Sequence, residues 1–326
     1  MSENKDEICR LNPVARAILQ GLYDEDSPFH KLLGLHYVLK AIWSNLVEYW
    51  KLKIIQANNK YPPKDSKYII KLYVSCAKAM SYRDEELVIQ FPKPSDININ
   101  MMPFVMAKEF KETKLPKKFK GYFDEIIKHC IVNNEMGEIG YLTIHESYVD
   151  EGTSQRRPGL HTESPGVVMM KDAMGCLIQK YIYWAGGQDY HRFVETDREL
   201  EGGIYMVSNV ANSCKVWNCE IVRPGVDSID IVGKHGDIEH LREFLPVEGE
   251  MMEANTVYWI TDRTPHESLP LTQGTYRQYF RLVTSLVSVW YQDHSTENPN
   301  GVVPNPKLTK VLKGSKFDGI CSVVDP

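Results

Sequence analysis

Apolar residues recur at helical spacing first and at strand spacing later. Asp26 and Ser27 are good N-cap residues before Pro28, and Leu32, Leu35, Leu39, Ile42, Trp43, Leu46 and Trp50 follow on one face of a predicted helix running to about Asn58. Tyr61-Pro62-Pro63 breaks it. A second helix is predicted after the caps Asp65 and Ser66, carrying Ile69, Leu72, Tyr73 and Cys76. Pro92 to Pro103 reads as a loop with a short extended piece, and Lys117 to Asn133 as one more helix.

From Gly137 the period changes. GYLTIHESYV (Gly140 to Val149), CLIQKYIYWA (Cys176 to Ala185), GIYMVSNV (Gly203 to Val210), CKVWNCEIV (Cys214 to Val222), NTVYWIT (Asn255 to Thr261) and YRQYFRLVTSLVSVW (Tyr276 to Trp290) are rich in β-branched and aromatic residues, with Gly, Pro, Asn and Asp clusters between them. Such strands without alternating helices predict an antiparallel barrel or sandwich. Asp237 to Leu245 is a helical interruption, and the chain after Asp293 is expected to be irregular and packed on the surface. The expected organisation is a helical N-terminal region (1–90), a connecting segment with a helix (91–136), a β core (137–293) and a C-terminal tail (294–326).

Composition narrows the class. Hydrophobic residues make up 43% and charged residues 25%, ordinary globular values in a chain of 326 residues, long enough to bury a sizeable core. A net charge of −5 disfavours nucleic acid as a partner. Seven dispersed cysteines without a CxxC predict reduced thiols, and neither a secretory signal nor a membrane span is evident, so the expected setting is the cytoplasm or nucleus.

The candidate chemistry lies in RRPGLHTESPG (Arg156 to Gly166). In an extended segment, His161 and Glu163 project to the same face with Cα atoms roughly 7 Å apart, so both can reach one metal ion. Alone the signal is weak, because 10 histidines and 43 acidic residues in 326 positions produce roughly one such pair by chance. His235-Gly236-Asp237 is a rival pair, marked as a loop by Gly233 and Gly236. His145 and Glu146 are adjacent on a predicted strand and face opposite sides. His266 follows the strand NTVYWIT and is the candidate third ligand. On the next strand Arg277, Tyr279 and Arg281 share one face, and two arginines on an apolar strand need a buried anion, such as a small dicarboxylate. Arg156 and Arg157 are read either as a flap over the substrate or as exposed loop charges. Trp184, Trp217, Trp259 and Trp290 are read as core.

The order His161-x-Glu163, His266, Arg277, Arg281 resembles the Fe(II)/2-oxoglutarate-dependent oxygenase superfamily over about Gly137 to Trp290. The resemblance implies an α+β chain with a double-stranded β-helix (jelly-roll, cupin-like) core behind the helical N-terminal region. It implies Fe(II) held by His161, Glu163 and His266, and 2-oxoglutarate as cosubstrate with Arg277 on its distal carboxylate. Arg281 would be a second or the main carboxylate contact. With O₂, such an enzyme hydroxylates or otherwise oxidises a C–H bond of a small-molecule or amino-acid-like substrate, releasing succinate and CO₂. Glu replaces the commoner Asp, and no Arg-x-Ser follows the distal histidine. Two alternatives use the same residues: a cupin-like scaffold without catalysis, and a zinc-type metallohydrolase.

Overall fold

Residues 70–72, 87–131, 133–164, 166–171, 177–185, 202–221, 232–245, 248–284, 286–317 and 322–323 are described by a computed structural model. The strands are β1 (Ile70–Leu72), β2 (Asn98–Val105), β3 (Ile139–Val149), β4 (Gly166–Lys171), β5 (Leu177–Ile182), β6 (Ile204–Ser208), β7 (Cys214–Val216), β8 (Cys219–Ile221), β9 (Glu250–Met251), β10 (Tyr258–Ile260), β11 (His266–Ser268), β12 (Thr275–Val283), β13 (Val289–Tyr291), β14 (Lys310–Lys313) and β15 (Ser322–Val323). The α-helix α1 (Lys120–Glu125) and several 3₁₀ turns complete the described elements.

The principal sheet has the order β10-β6-β12-β3-β2, antiparallel throughout. Its longest strands, β3 and β12, pair over Tyr141 to Val149 and Thr275 to Val283. A smaller antiparallel sheet has the order β11-β7-β9. The chain is thus mostly antiparallel sheet with few helices, an α+β class, and among the described residues the sheets do not close into one hydrogen-bonded barrel.

Alternation along β3 and β12 divides the interior in two. Ile144, Leu142, Phe280 and Leu282 pack with Phe119, Tyr122, Phe123, Ile126 and Ile127 in one apolar cluster. Tyr141, Tyr279 and Val283 face the other way and pack with Cys214 and Val216 of β7 and with Tyr258 and Ile260 of β10 in a second. The functional pocket opens on that second face. The four tryptophans read as core are buried.

Some sequence expectations are corrected. The predicted second helix carrying Ile69 and Leu72 does not form at Ile70–Leu72, which is strand β1, antiparallel to β8. The β-branched Ile70 there favours an extended conformation. The first predicted helix lies outside the described residues. The predicted helix Lys117 to Asn133 is broken into 3₁₀ Lys117–Phe119, α1 and 3₁₀ Ile127–His129. Ile126 leaves helical geometry at φ −128, ψ −59, and both Ile126 and Ile127 reach zero exposure. The break at Ile126 lets both isoleucines enter the apolar cluster with Phe119, Tyr122 and Phe123. Pro92 to Pro103, expected to be mostly loop, contributes most of edge strand β2, whose register shifts between Ile99 and Met102. The edge tolerates Pro103. Within the tail, β14 adds parallel to β13, so the tail is less irregular than expected.

Glu146 ties the principal sheet to the segment before β2. Its carboxylate accepts the backbone N–H groups of Ser95 (2.8 Å) and Ile97 (2.7 Å), the Tyr122 hydroxyl (2.7 Å) and the Gln278 amide (3.1 Å). Removing it leaves several largely buried donors unmet, each costing roughly 1–3 kcal/mol. Glu146→Ala is expected to lower stability by about 3 kcal/mol or more and Glu146→Gln by less, read as shifts of the urea midpoint.

Candidate functional site

His161 and His266 are brought together by the backbone itself. The N–H of His161 donates to the carbonyl of His266 (3.0 Å), and the N–H of His266 donates back to the carbonyl of His161 (2.9 Å). This reciprocal antiparallel bridge places the two rings side by side, with centroids 4.4 Å apart. β7 supports β11 from the other side, where Val216 pairs with His266 and Cys214 with Ser268.

The rival pair supplies the opposite flank of the same segment. The N–H of Thr162 donates to Gly236 O (2.8 Å), that of Ile238 to Leu160 O (3.1 Å), and Asp237 bridges His161. Gly236 sits at φ +86, and a Cβ there would lie 2.1 Å from the Thr162 carbonyl oxygen, so the close approach requires glycine. The His235-Gly236-Asp237 loop therefore braces the His-x-Glu segment. The sequence placed it as a competitor.

Each imidazole is oriented in the same way. Nδ1 of His161 lies 2.7 Å from Gly159 O, and Nδ1 of His266 lies 3.0 Å from Thr264 O. In the tautomer that donates these bonds, Nδ1 carries the proton and the Nε2 lone pair is left for a ligand. Burial first, then the neighbouring His266 and Arg157, holds His161 well below the usual histidine value, so it is neutral near pH 7. Glu163 Oε1 lies 3.7 Å from His266 Nε2 and pairs with Arg281 Nη1. Burial alone would raise this carboxyl, but Arg281 and His266 outweigh it and hold it well below the usual range.

Two spacings are compatible with one divalent ion. Two imidazoles in adjacent positions at roughly 2.1 Å from one ion have ring centres about 4.5 Å apart, and two donors on it span roughly 3.0–4.2 Å. The His161 and His266 ring centres are 4.4 Å apart, and Glu163 Oε1 lies 3.7 Å from His266 Nε2. The three side chains together are not arranged as a preformed metal site: no group of three or more His, Cys, Asp or Glu among the described residues is. The Glu163 oxygen nearest His266 is the one paired with Arg281.

Around this centre is a cavity of about 40 Å³ lined by Arg156, Arg157, His161, Thr162, Glu163, Cys214, His235, His266, Ser268, Tyr279, Arg281 and Lys316. The structure thus brings His161, Glu163, His266 and Arg281 to one pocket. Arg277, two positions before Tyr279 on the same face of β12, is fully buried. Its Nε donates to Ser208 Oγ (3.1 Å), while Nη1 and Nη2 have no hydrogen-bond partner among the described residues. Its guanidinium lies 5.3 Å from the Tyr279 ring centre.

Arg156 and Arg157 are half-buried in the pocket wall, so they are not exposed loop charges. His145 also faces this side: both its ring nitrogens lie 3.3 Å from Arg156 Nη1, whereas Glu146 turns into the apolar core. Sequence reasoning missed Lys316, Cys214 and Ser268, and it considered His235 only as half of a rival metal pair rather than as part of this wall. Lys316 carries no local motif and arrives from the tail, so nothing in its neighbourhood could have marked it.

The site predicts a pH dependence. Burial, then Arg156, Arg281 and Arg277, pushes His145 down from 6.5 to about 3. The folded value lies below the unfolded one, so the unfolded chain takes up the proton first. Stability from this group is complete above pH 6.5 and is lost as pH falls from 6.5 towards 3, by at most about 1.4 kcal/mol per pH unit. His145→Gln is expected to flatten the acid limb of urea midpoint against pH between 6 and 4. An unchanged limb contradicts the assignment.

No described helix is long and apolar enough to cross a membrane. No known protein family, curated protein or solved structure matches this chain.

Proposed function

We propose that this protein is a non-haem Fe(II)- and 2-oxoglutarate-dependent dioxygenase built on a double-stranded β-helix, oxidising a C–H bond of a small-molecule or amino-acid-like substrate and releasing succinate and CO₂. The observation that carries the reading is the backbone bridge between His161 and His266, which sets two Nδ1-bonded imidazoles 4.4 Å apart beside Glu163. His161, Glu163 and His266 would hold the iron. Bound there, Fe(II) supplies the redox chemistry that couples decarboxylation of a 2-oxo acid to oxidation of a C–H bond by O₂.

The chain's own residues do the rest. Arg277 is taken as the anchor for the distal carboxylate of 2-oxoglutarate: it lies beside Cys214 of the pocket wall, and Nη1 and Nη2 have no hydrogen-bond partner among the described residues, which supports a bidentate pair there. Arg281 is already engaged with Glu163, which supports a role in positioning that ligand rather than the main cosubstrate contact considered from sequence. Gly159 O and Thr264 O keep both imidazoles in the ligating tautomer.

One observation favours a second reading. A carboxylate held by a buried arginine is also what a binding protein without catalysis would show. Anaerobic titration separates the two. The iron reading expects a visible charge-transfer band on adding Fe(II) and 2-oxoglutarate, abolished in His161→Ala and in His266→Ala. Arg277→Gln should weaken 2-oxoglutarate binding by about tenfold or more, the loss of roughly one charge-assisted pair. Folded protein that gives no band, or consumes no O₂ above background with a metabolite pool, overturns it.

A further inference from the structure

The pocket is cationic in a protein whose net charge is −5. Arg156, Arg157, Arg281 and Lys316 line it against one carboxylate, Glu163, which is paired with Arg281. The other three cations have no carboxylate partner among the described residues. Arg157 donates from Nη1 to the His235 carbonyl (2.7 Å). The Arg156 guanidinium lies against His145 and 5.2 Å from the Tyr279 ring centre. Lys316 Nζ lies 5.6 Å from the Trp184 ring centre and 5.2 Å from that of Phe317. Its pKa falls to about 7 because of burial, with Glu163 opposing and Arg281, Arg156 and Arg157 adding to the fall.

These cations exceed what iron and cosubstrate account for. A divalent ion and a dianion cancel, and Arg277 is taken as the anchor for that dianion, so among the described residues Arg156, Arg157 and Lys316 are left with no ion-pair partner, only the longer-range attraction of Glu163 and, for Arg157, of Asp237. Assembling like charges in a partly buried pocket without a counter-anion is costly. A further polar group lacks a partner: the Ser268 hydroxyl lines the pocket at 4% exposure and has no hydrogen-bond partner among the described residues.

The lining residues fall into two groups by their contacts. Ser268 pairs with Cys214 across the β11-β7 pair, and Cys214 lies near Arg277, which is itself outside the lining and reaches Ser208. Arg157 and His235 form the other group, joined by the Arg157 bond to the His235 carbonyl, and the His235 ring meets Phe317, the neighbour of Lys316, at 5.1 Å.

We propose that the pocket receives a second anion, so that the substrate is a small molecule bearing a carboxylate or phosphate group held by Arg157 and Lys316, with Arg156 beside it. The word "second" rests on reading Arg277 as the cosubstrate anchor. The anion subsite itself needs no iron.

The test uses the full chain, first without metal or cosubstrate, then with saturating Fe(II) and 2-oxoglutarate under anaerobic conditions. Inorganic phosphate, acetate and the neutral isostere acetamide are titrated by calorimetry. Phosphate or acetate is expected to bind and acetamide not. Phosphate binding the tighter indicates a phosphate-bearing substrate, and acetate a carboxylate. Arg157→Gln and Lys316→Gln should each weaken the anion by about tenfold or more, as the loss of roughly one charge-assisted contact implies. Arg157→Lys should restore part of it, with folding checked by circular dichroism. With Fe(II) and 2-oxoglutarate saturating, Arg277→Gln should leave the anion titration unchanged while weakening 2-oxoglutarate itself. Equal binding of acetate and acetamide, no anion binding by folded protein, or a loss confined to Arg277→Gln overturns the proposal. Phosphate binding with no charge-transfer band overturns the oxygenase reading and leaves the anion subsite standing.

Discussion

Two hydrogen bonds between His161 and His266 organise the site. They join residues far apart in the chain, and they do so through main-chain atoms, so ring placement follows from strand pairing rather than from side-chain packing. Everything needed for metal chemistry hangs on this bridge. The alternation of an extended segment puts Glu163 on the His161 side, and the paired strands fix the distance between rings. The carbonyls of Gly159 and Thr264 then choose the tautomer. A sheet is well suited to this task, because each ligand's direction is set by neighbours on both sides: β7 beyond His266, and the Gly236 loop beyond Thr162.

The legible part of this design was alternation. The face carrying Arg277, Tyr279 and Arg281, and the opposite turns of His145 and Glu146, follow from the period of a strand, and the structure has both. The strands read between Gly140 and Trp290 are present, although CKVWNCEIV divides into β7 and β8 and YRQYFRLVTSLVSVW into β12 and β13. Partnership was not legible. That β11 is three residues long and follows Pro265 made it invisible to pattern, yet it carries the distal histidine. That Ile70–Leu72 pairs with Cys219–Ile221 depends on an edge formed far downstream. The double-stranded β-helix remains part of the functional proposal, since the described sheets show antiparallel pairing and not closure.

Arg281 shows why residue type and spacing underdetermine a role. On sequence it was one of two arginines awaiting a dicarboxylate. In the fold its partner is Glu163, two positions from His161, and its pKa rises because Glu163 and Tyr279 outweigh the burial that would lower it. This ion pair is desolvated on both sides, so removing either member alone strands a buried charge. It also biases the metal site. A divalent ion would have to draw Glu163 partly away from a guanidinium that keeps a second contact to Thr143 Oγ1 (3.3 Å).

That competition links the metal ligands to the pocket's cations. Arg281 lines the cavity together with Arg156, Arg157 and Lys316, and among the described lining residues Glu163 is the one carboxylate facing all four. If an ion takes up the charge of Glu163, the arginine released from it joins the uncompensated cations, and the pocket's demand for anions rises. Binding of metal and of anions should therefore be mutually favourable without any movement of the sheets, as reciprocal coupling between sites requires. On the iron reading, this charge pattern would make the metal-loaded pocket a stronger anion receptor than the metal-free one.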